Sequence, residues 1–403
     1  MARKSLCFLL LSGLLGYYLY IPLPDNMEEK MTVMLLAGTF RTLGHMAYIA
    51  ELFGMKHYME VLMLLTVMEK TEPTSDENIS VIDTSFSNVP VRLYIPKRAS
   101  DAQKRAVIYI HGGGWCVGSA TMKPYDLLSR NTAQQLDAVI VSIDYRLAPK
   151  FRFPAQNDDV YAVAKFFLNK DVLDKYSVDP NRVAIAGDSA GGHLSAAIAQ
   201  QLLNDPEVKV KLKIQALIYP ALQAIDLNTP SYKDNADMPI LSKHLMIHFW
   251  NEYITPDRTL GEAMWYNQHI PSEAADIYKF VNWSTLLPNN LKNQHVYSNP
   301  DSASSDFIKK YPAILDTRVC PLLSKDNELK GLPKTYLITS MYDVLRDDGF
   351  MYAERLRKAG VEVEHAHYDN TIHGVLLFNV WPLDLKIAHH IQNNYMRWLN
   401  DNL

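Results

Sequence analysis

Two short segments carry groups whose types and spacing suit joint chemistry. His111-Gly112-Gly113-Gly114-Trp115 leaves the apolar run Ala106 to Ile110, and Gly187-Asp188-Ser189-Ala190-Gly191-Gly192 follows about 75 residues later. In the second, a serine stands between glycines where the apolar run Val183 to Ala186 gives way to a helical pattern from His193 to Leu203. A strand-to-helix turn of this kind lifts the serine hydroxyl above the strand, and glycine is required where any side chain would strike neighbouring backbone. Ser189 is therefore the candidate nucleophile. Ala190 opens the helix, so its N–H has no intrahelical partner and can point at a developing negative charge. Further donors are expected from the amides of Gly112, Gly113 and Gly114, which can bend toward the serine with no side chain in the way. His111 is read as shaping that loop by hydrogen bonding. A nucleophile beside an oxyanion hole is acyl-transfer machinery.

A serine needs a base, and the chain order Ser, then acid, then His places both partners toward the C-terminus. Lys334 to Thr339 reads as a strand, with Asp343 just beyond it as the expected orienting acid. Asp347 and Asp348 compete, but they open an amphipathic helix running to Ala359, where acidic residues favour the N-terminal dipole. Val361 to His367 alternates as a strand and leads into the loop Asp369-Asn370-Thr371-Ile372-His373-Gly374. His373, on a strand-exit loop with glycine beside it, is the expected base. His365 and His367 lie within the strand, and His389 and His390 on a solvated turn of the terminal helix.

These groups must be positioned by the elements around them. Strands expected at about 91–95, 106–110, 138–143, 183–186, 214–218, 335–339 and 361–367 alternate with helical segments such as Ala155 to Leu168. That alternation predicts an α/β fold with a mostly parallel central sheet covered by helices on both faces. Two stretches do not fit the repeat, about 27–70 and about 221–331, and both are candidate segments of a helical cap. The first is rich in methionine and leucine at helical spacing, among them Met31, Met34, Leu35, Phe40 and Leu43. Burial against the core is the plainer reading; adaptable walls of an acyl or aryl pocket, resting on a bilayer, is the sharper one.

Residues from about 80 to 403 resemble the hormone-sensitive-lipase branch of the α/β-hydrolases. The resemblance rests on His111 to Trp115, Asp144-Tyr145-Arg146-Leu147-Ala148-Pro149 with Phe153-Pro154 after it, Gly187 to Gly192, Asp343-Val344-Leu345-Arg346-Asp347 and Ile372-His373-Gly374. It implies an α/β-hydrolase fold and a carboxylic-ester and amide hydrolase of the endoplasmic reticulum, acting on acylated aromatic amines, drug-like esters and some neutral lipid esters. Trp115 and the cap are expected to set acyl size. In relatives of this kind the cysteine after the HGGGW run pairs with one three positions before the catalytic aspartate, but that position here is Ser340. Cys116 is left to bond with Cys320 or to stay free, and Cys7 lies inside an apolar segment. No cysteine pattern suggests a metal site, and the chemistry needs no cofactor.

The N-terminus speaks to location. Arg3 and Lys4 precede an uncharged run from Leu6 to Ile21, which stops at Pro22-Leu23-Pro24-Asp25. Sixteen helical residues span about 24 Å, a little short of the ~27 Å hydrocarbon layer of the endoplasmic reticulum. A cleavable signal peptide is the alternative, but Tyr17-Tyr18-Leu19-Tyr20 makes a poor cleavage site and a good interfacial belt. Residues 1–24 are thus expected to be an uncleaved signal-anchor, with the N-terminus cytoplasmic and residues 25–403 a lumenal hydrolase domain. Sequons at Asn78 and Asn282 fit a lumenal chain. Forty basic against forty-four acidic residues, a net charge of −4, leave little field to attract nucleic acid. The expected partners are small-molecule esters and amides, lipids, and the membrane itself; no sequence feature fixes an oligomeric state. A non-catalytic binding module, or a membrane-anchored scaffold, would use the same fold without turnover.

Overall fold

The computed structural model describes residues 13, 16–18, 20–98, 102–300, 303–380 and 383–403. Most of the expected anchor, with Arg3, Lys4 and Cys7, lies outside them. Among the described residues no helix is long and apolar enough to cross a membrane.

Eight strands form one sheet: β1 (Ile79–Phe86), β2 (Val89–Pro96), β3 (Lys104–Ile110), β4 (Ala138–Ile143), β5 (Val178–Asp188), β6 (Ile214–Ile218), β7 (Lys334–Tyr342) and β8 (Val363–Ile372). Their order is β1-β2-β4-β3-β5-β6-β7-β8. The β1/β2 and β2/β4 pairs are antiparallel and every later pair is parallel. The mostly parallel sheet is as the sequence predicts, with one strand added: β1 carries four successive exposed residues and a weak hydrophobic pattern.

The helices that matter to the site are α1 (Lys30–Leu52), α2 (Tyr58–Met68), α3 (Lys123–Leu136), α4 (Ala155–Phe167), α5 (Ala190–Asn204), α6 (Lys243–Ile254), α7 (Arg346–Lys358) and α8 (Lys386–Asn402). Because side chains alternate across a strand, the central strands are apolar on both faces. Ala106, Ile108, Val183 and Ile185 face a core shared with α4, α5 and α7. Val107, Tyr109, Ala184 and Ala186 face the opposite core, shared with α3 and α8. Burial on both faces is what a parallel sheet requires.

The two stretches that break the strand-helix repeat pack as helical excursions. Residues 30–68 form α1 and α2, and residues 221–331 form α6 with a series of short helices. The second is tied to the hydrolase layers by α7. Asp348 accepts from Leu222 N at 3.0 Å and from Gln223 Nε2 at 2.9 Å, and Asp347 accepts from Ser231 N at 2.7 Å. Both aspartates stand in the first turn of α7, as expected, and they also hold the excursion, a role the sequence did not show. Burial raises the Asp348 carboxyl to about 8.

Candidate active site

Ser189 sits where β5 ends and α5 begins, in a backbone conformation of φ 54° and ψ −118° that a non-glycine residue adopts only under strain of about 1–3 kcal/mol. Its N–H donates to Ile218 O at 2.8 Å, which locks the turn onto β6. Its neighbours Asp188 and Ala190 are buried while Ser189 itself is partly open. The close turn demands glycine at position 191, where a Cβ would lie 2.0 Å from the Ile110 carbonyl oxygen.

The structure brings the three expected side chains together. His373 Nε2 lies 2.9 Å from Ser189 Oγ, and His373 Nδ1 lies 2.7 Å from Asp343 Oδ2. Asp343 is fully buried just past β7, and its other oxygen accepts from Leu345 N at 2.8 Å. His373 follows β8 directly. That strand runs to Ile372, which pairs with Tyr342 beyond a register shift, so the expected loop from Asp369 is shorter than the sequence suggested. Tyr219, at the end of β6 with φ 35°, packs its ring 4.7 Å from that of His373.

The glycine loop needs two corrections. Gly112 is not a free donor: its N–H points inward, 2.8 Å from Tyr125 Oη and 3.1 Å from Asp188 Oδ1. The N–H groups of Gly113, Gly114 and Ala190 make no hydrogen bond among the described residues, which leaves them for an oxyanion. Trp115 is the second. With φ 60° it turns beneath the loop, fully buried, donating its indole N–H to His193 Nδ1 at 3.0 Å and stacking on Tyr253 at 4.4 Å. It supports the loop from the core side and does not line an open acyl pocket.

His111 shapes the loop as expected. Its Nδ1 lies 2.7 Å from Gly112 O, its ring stacks on Tyr145 at 4.3 Å, and burial lowers its pKa. Tyr145 Oη donates to His111 O, and Trp115 O accepts from Ala148 N, so the Asp144 to Pro149 segment braces the loop.

Asp188 escaped the sequence reading. Tyr109 donates to its Oδ1 at 3.0 Å and Tyr125 to its Oδ2 at 3.1 Å, and with Gly112 N they fix the loop to the serine turn. Burial raises this carboxyl to about 6 against the hydrogen bonds of the two tyrosines. Phe249 of α6 packs on Gly114 so closely that a Cβ there would lie 2.3 Å from the ring. The sequence holds no local signal for either contact, since the partners are far apart along the chain.

Among the remaining candidates, Cys116 and Cys320 are both buried free thiols. The pairing is not made: Cys320 Sγ accepts from Ala224 N, Cys116 lies in the core below the loop, and burial holds both thiols protonated. Asn78 is exposed just before β1. Asn282 is half-buried, and its Oδ1 caps a short helix by accepting from Ser284 N and Oγ. His365 and His367 flank Thr339 Oγ1 at 2.8 and 2.9 Å, and His389 is exposed beside Asp384.

A sheet of this order, a strained serine between β5 and a helix, and acid and histidine after β7 and β8 define a class. The profile of the alpha/beta hydrolase fold matches residues 107–272 and 271–377, and the chain belongs to the α/β-hydrolase family. Arylacetamide deacetylase from Bos taurus is 52% identical over 100% of both chains. Neutral cholesterol ester hydrolase 1 from Bos taurus is 42% identical over 99% of this chain and 100% of its own. An esterase of Pyrobaculum calidifontis shares the fold with a TM-score of 0.61 at 26% identity, over 88% of this chain and 97% of that one. With this kinship the chain is an enzyme, a serine hydrolase.

Proposed function

We propose that this chain is a membrane-anchored hydrolase of carboxylic esters and amides that works through an acyl-enzyme on Ser189. The observation that carries the reading is the alignment of Ser189 Oγ, His373 and Asp343 through two hydrogen bonds of 2.9 and 2.7 Å. His373 Nε2 takes the proton as Ser189 Oγ attacks the substrate carbonyl, and Asp343 holds the Nδ1–H tautomer and stabilises the imidazolium. The amides of Gly113, Gly114 and Ala190 receive the oxyanion, each donor worth about 100- to 1000-fold in turnover. His373 then protonates the leaving amine or alcohol. Water, deprotonated by the same histidine, releases the acid.

Kinship with arylacetamide deacetylase supports acylated aromatic amines and short acyl esters as substrates. Kinship with neutral cholesterol ester hydrolase 1 favours neutral lipid esters as a second substrate class. Residues 27–70 and 221–331 serve as the cap, the first through its inner side, where Thr66 Oγ1 accepts from Gly118 N, and the second through Phe249 over Gly114. The uncharged run Leu6 to Ile21 after Arg3 and Lys4 supports an anchor in the endoplasmic reticulum membrane with a lumenal catalytic domain. A mere binding module on this fold has no need of an aligned triad.

Hydrolysis of an arylacetamide, a short aryl ester and a cholesteryl ester by microsomes expressing the chain tests the reading, with Ser189→Ala as background. Turnover of the first two is expected to drop by about 10⁴-fold or more in the variant, together with loss of fluorophosphonate labelling. Undiminished turnover by Ser189→Ala would sink the assignment, and cholesteryl ester turnover alone would make the enzyme a lipase.

A further inference from the structure

Nineteen large hydrophobic side chains are exposed among the described residues, and eleven of them fall between Met31 and Met68. Their arrangement on α1 is regular. Met31, Leu35, Thr39, Thr42, Met46 and Ile49 recur at intervals of three and four, all exposed, which places them on one stripe of the helix, and the exposed C-cap residue Phe53 continues it. No charge interrupts it. The two threonines add little polarity, because each hydroxyl donates to the carbonyl four residues back, Thr39 to Leu35 O and Thr42 to Gly38 O. The charged residues of α1 are Lys30, Arg41 and Glu51, which lie off the stripe, and Arg41 is turned to Tyr18 O. On α2, Leu64, Val67 and Met68 extend the apolar surface, and Glu60 is the sole charge.

We propose that α1 and α2 lie flat in the surface of the bilayer that holds the N-terminal segment, with this stripe immersed among the acyl chains. The inference rests on the anchor reading above. The tether between the N-terminal segment and the body is short. Asn26 donates to Asp369 O at 2.7 Å, so the chain is fixed to the hydrolase body five residues after the uncharged run ends at Ile21. Five residues reach at most about 18 Å, and the membrane holding that run is therefore beside α1. An uncharged apolar helix face next to a bilayer immerses about 5–10 Å deep, whereas a patch of this size left in water is unfavourable. Neither helix is apolar enough to cross, so each lies along the surface.

Contacts from α2 and from the segment ahead of α1 reach segments beside the active site. Thr66 Oγ1 of α2 accepts from Gly118 N, three residues past Trp115, at 3.0 Å. Glu28, just before α1, donates its N–H to Asn370 O and accepts from Asn370 Nδ2 at 2.7 Å, three residues before His373. A bilayer seated on the stripe thus adjoins the site, and an apolar ester dissolved in it reaches Ser189 without passing through bulk water.

The test uses the full chain in phosphatidylcholine vesicles containing a carbene-generating phospholipid. After photolysis, label is expected in peptides covering 31–55 and 64–68 as well as 6–21. Label confined to 6–21 overturns the docking and leaves the anchor standing; no label in either region overturns both. Crosslinks between two copies through Met46→Cys, in place of lipid label, would assign the face to a second copy and overturn the proposal. A kinetic arm compares the parent with Met46→Glu/Ile49→Glu/Phe53→Glu, whose positions are exposed. The apparent KM for an aryl ester dissolved in the vesicles is expected to rise at least about fivefold, with a water-soluble aryl acetate turned over as before. Equal effects on both substrates, or none, reject delivery from the bilayer.

Discussion

At the scale of single residues, the site is set by which hydrogen-bonding groups are already spoken for. Asp343 spends one oxygen on Leu345 N and offers the other to His373, so it fixes the imidazole with Nδ1 protonated and Nε2 free to accept from Ser189. Asp343→Asn presents an amide that favours the wrong tautomer, and kcat is expected to fall about 10⁴-fold with little change in KM. Stopped-flow acylation with an aryl acetate checks this; a fall below tenfold would remove Asp343 from the triad. The glycine loop follows the same logic. Gly112 N–H is consumed by Tyr125 and Asp188, whereas Gly113, with φ 111°, keeps its amide unbonded and has no room for a Cβ, which would sit 2.0 Å from Val117 O. Gly113→Ala must displace the loop, with an expected loss of about 100- to 1000-fold in kcat. If the variant retains parental kcat, the oxyanion is held elsewhere.

At the scale of elements, the sheet was readable because the short apolar runs that mark strands buried on both faces are a local property. The exception, β1, is an edge strand with a polar outer face, so its sequence lacks the signal. The side chains that the structure aligns, Ser189, His373 and Asp343, were also readable, since each follows the end of a strand and type and order suffice to find them. What could not be read were directions set by distant partners: Gly112 turned inward by Asp188, Trp115 turned under the loop by its backbone, Asp347 and Asp348 drawn to the 221–231 segment. One consequence belongs to β8 as an element. Its His365 and His367 share Thr339 of β7, and burial lowers them to about 3 and about 4 from 6.5. The unfolded chain takes up protons below pH 6.5 while these folded imidazoles stay neutral, so the stability they confer is present above 6.5 and is lost as pH falls toward about 4. Allowing for partial solvent access, His365→Gln/His367→Gln should lose at least about 2 kcal/mol less than the parent between pH 7 and 4.5. Urea midpoints in detergent measure it, and parallel losses in the two proteins would refute neutral burial.

At the scale of the whole molecule, the question is on which side of a membrane this hydrolase works. Cationic residues on the short N-terminal side of an apolar segment are retained in the cytoplasm, and Arg3 and Lys4 precede the run Leu6 to Ile21 with no acidic residue between them. On the proposed anchor reading, the body, starting within about 18 Å of that run, is expected to be lumenal. The two sequons convert this orientation into a mass. Oligosaccharide transfer acts on the emerging chain, before Asn282 can be engaged as a helix cap by Ser284, so the cap does not by itself protect it; Asn78 is exposed even when folded. Full-length protein in sealed microsomes is therefore expected to resist added protease until detergent is present. Glycosidase treatment should lower its mass, and Asn78→Gln should remove one glycan's worth of the shift without touching turnover of a soluble aryl ester. Digestion of the body in sealed vesicles, with no glycan on either asparagine, would put the active site in the cytoplasm and show that Arg3 and Lys4 do not set the orientation.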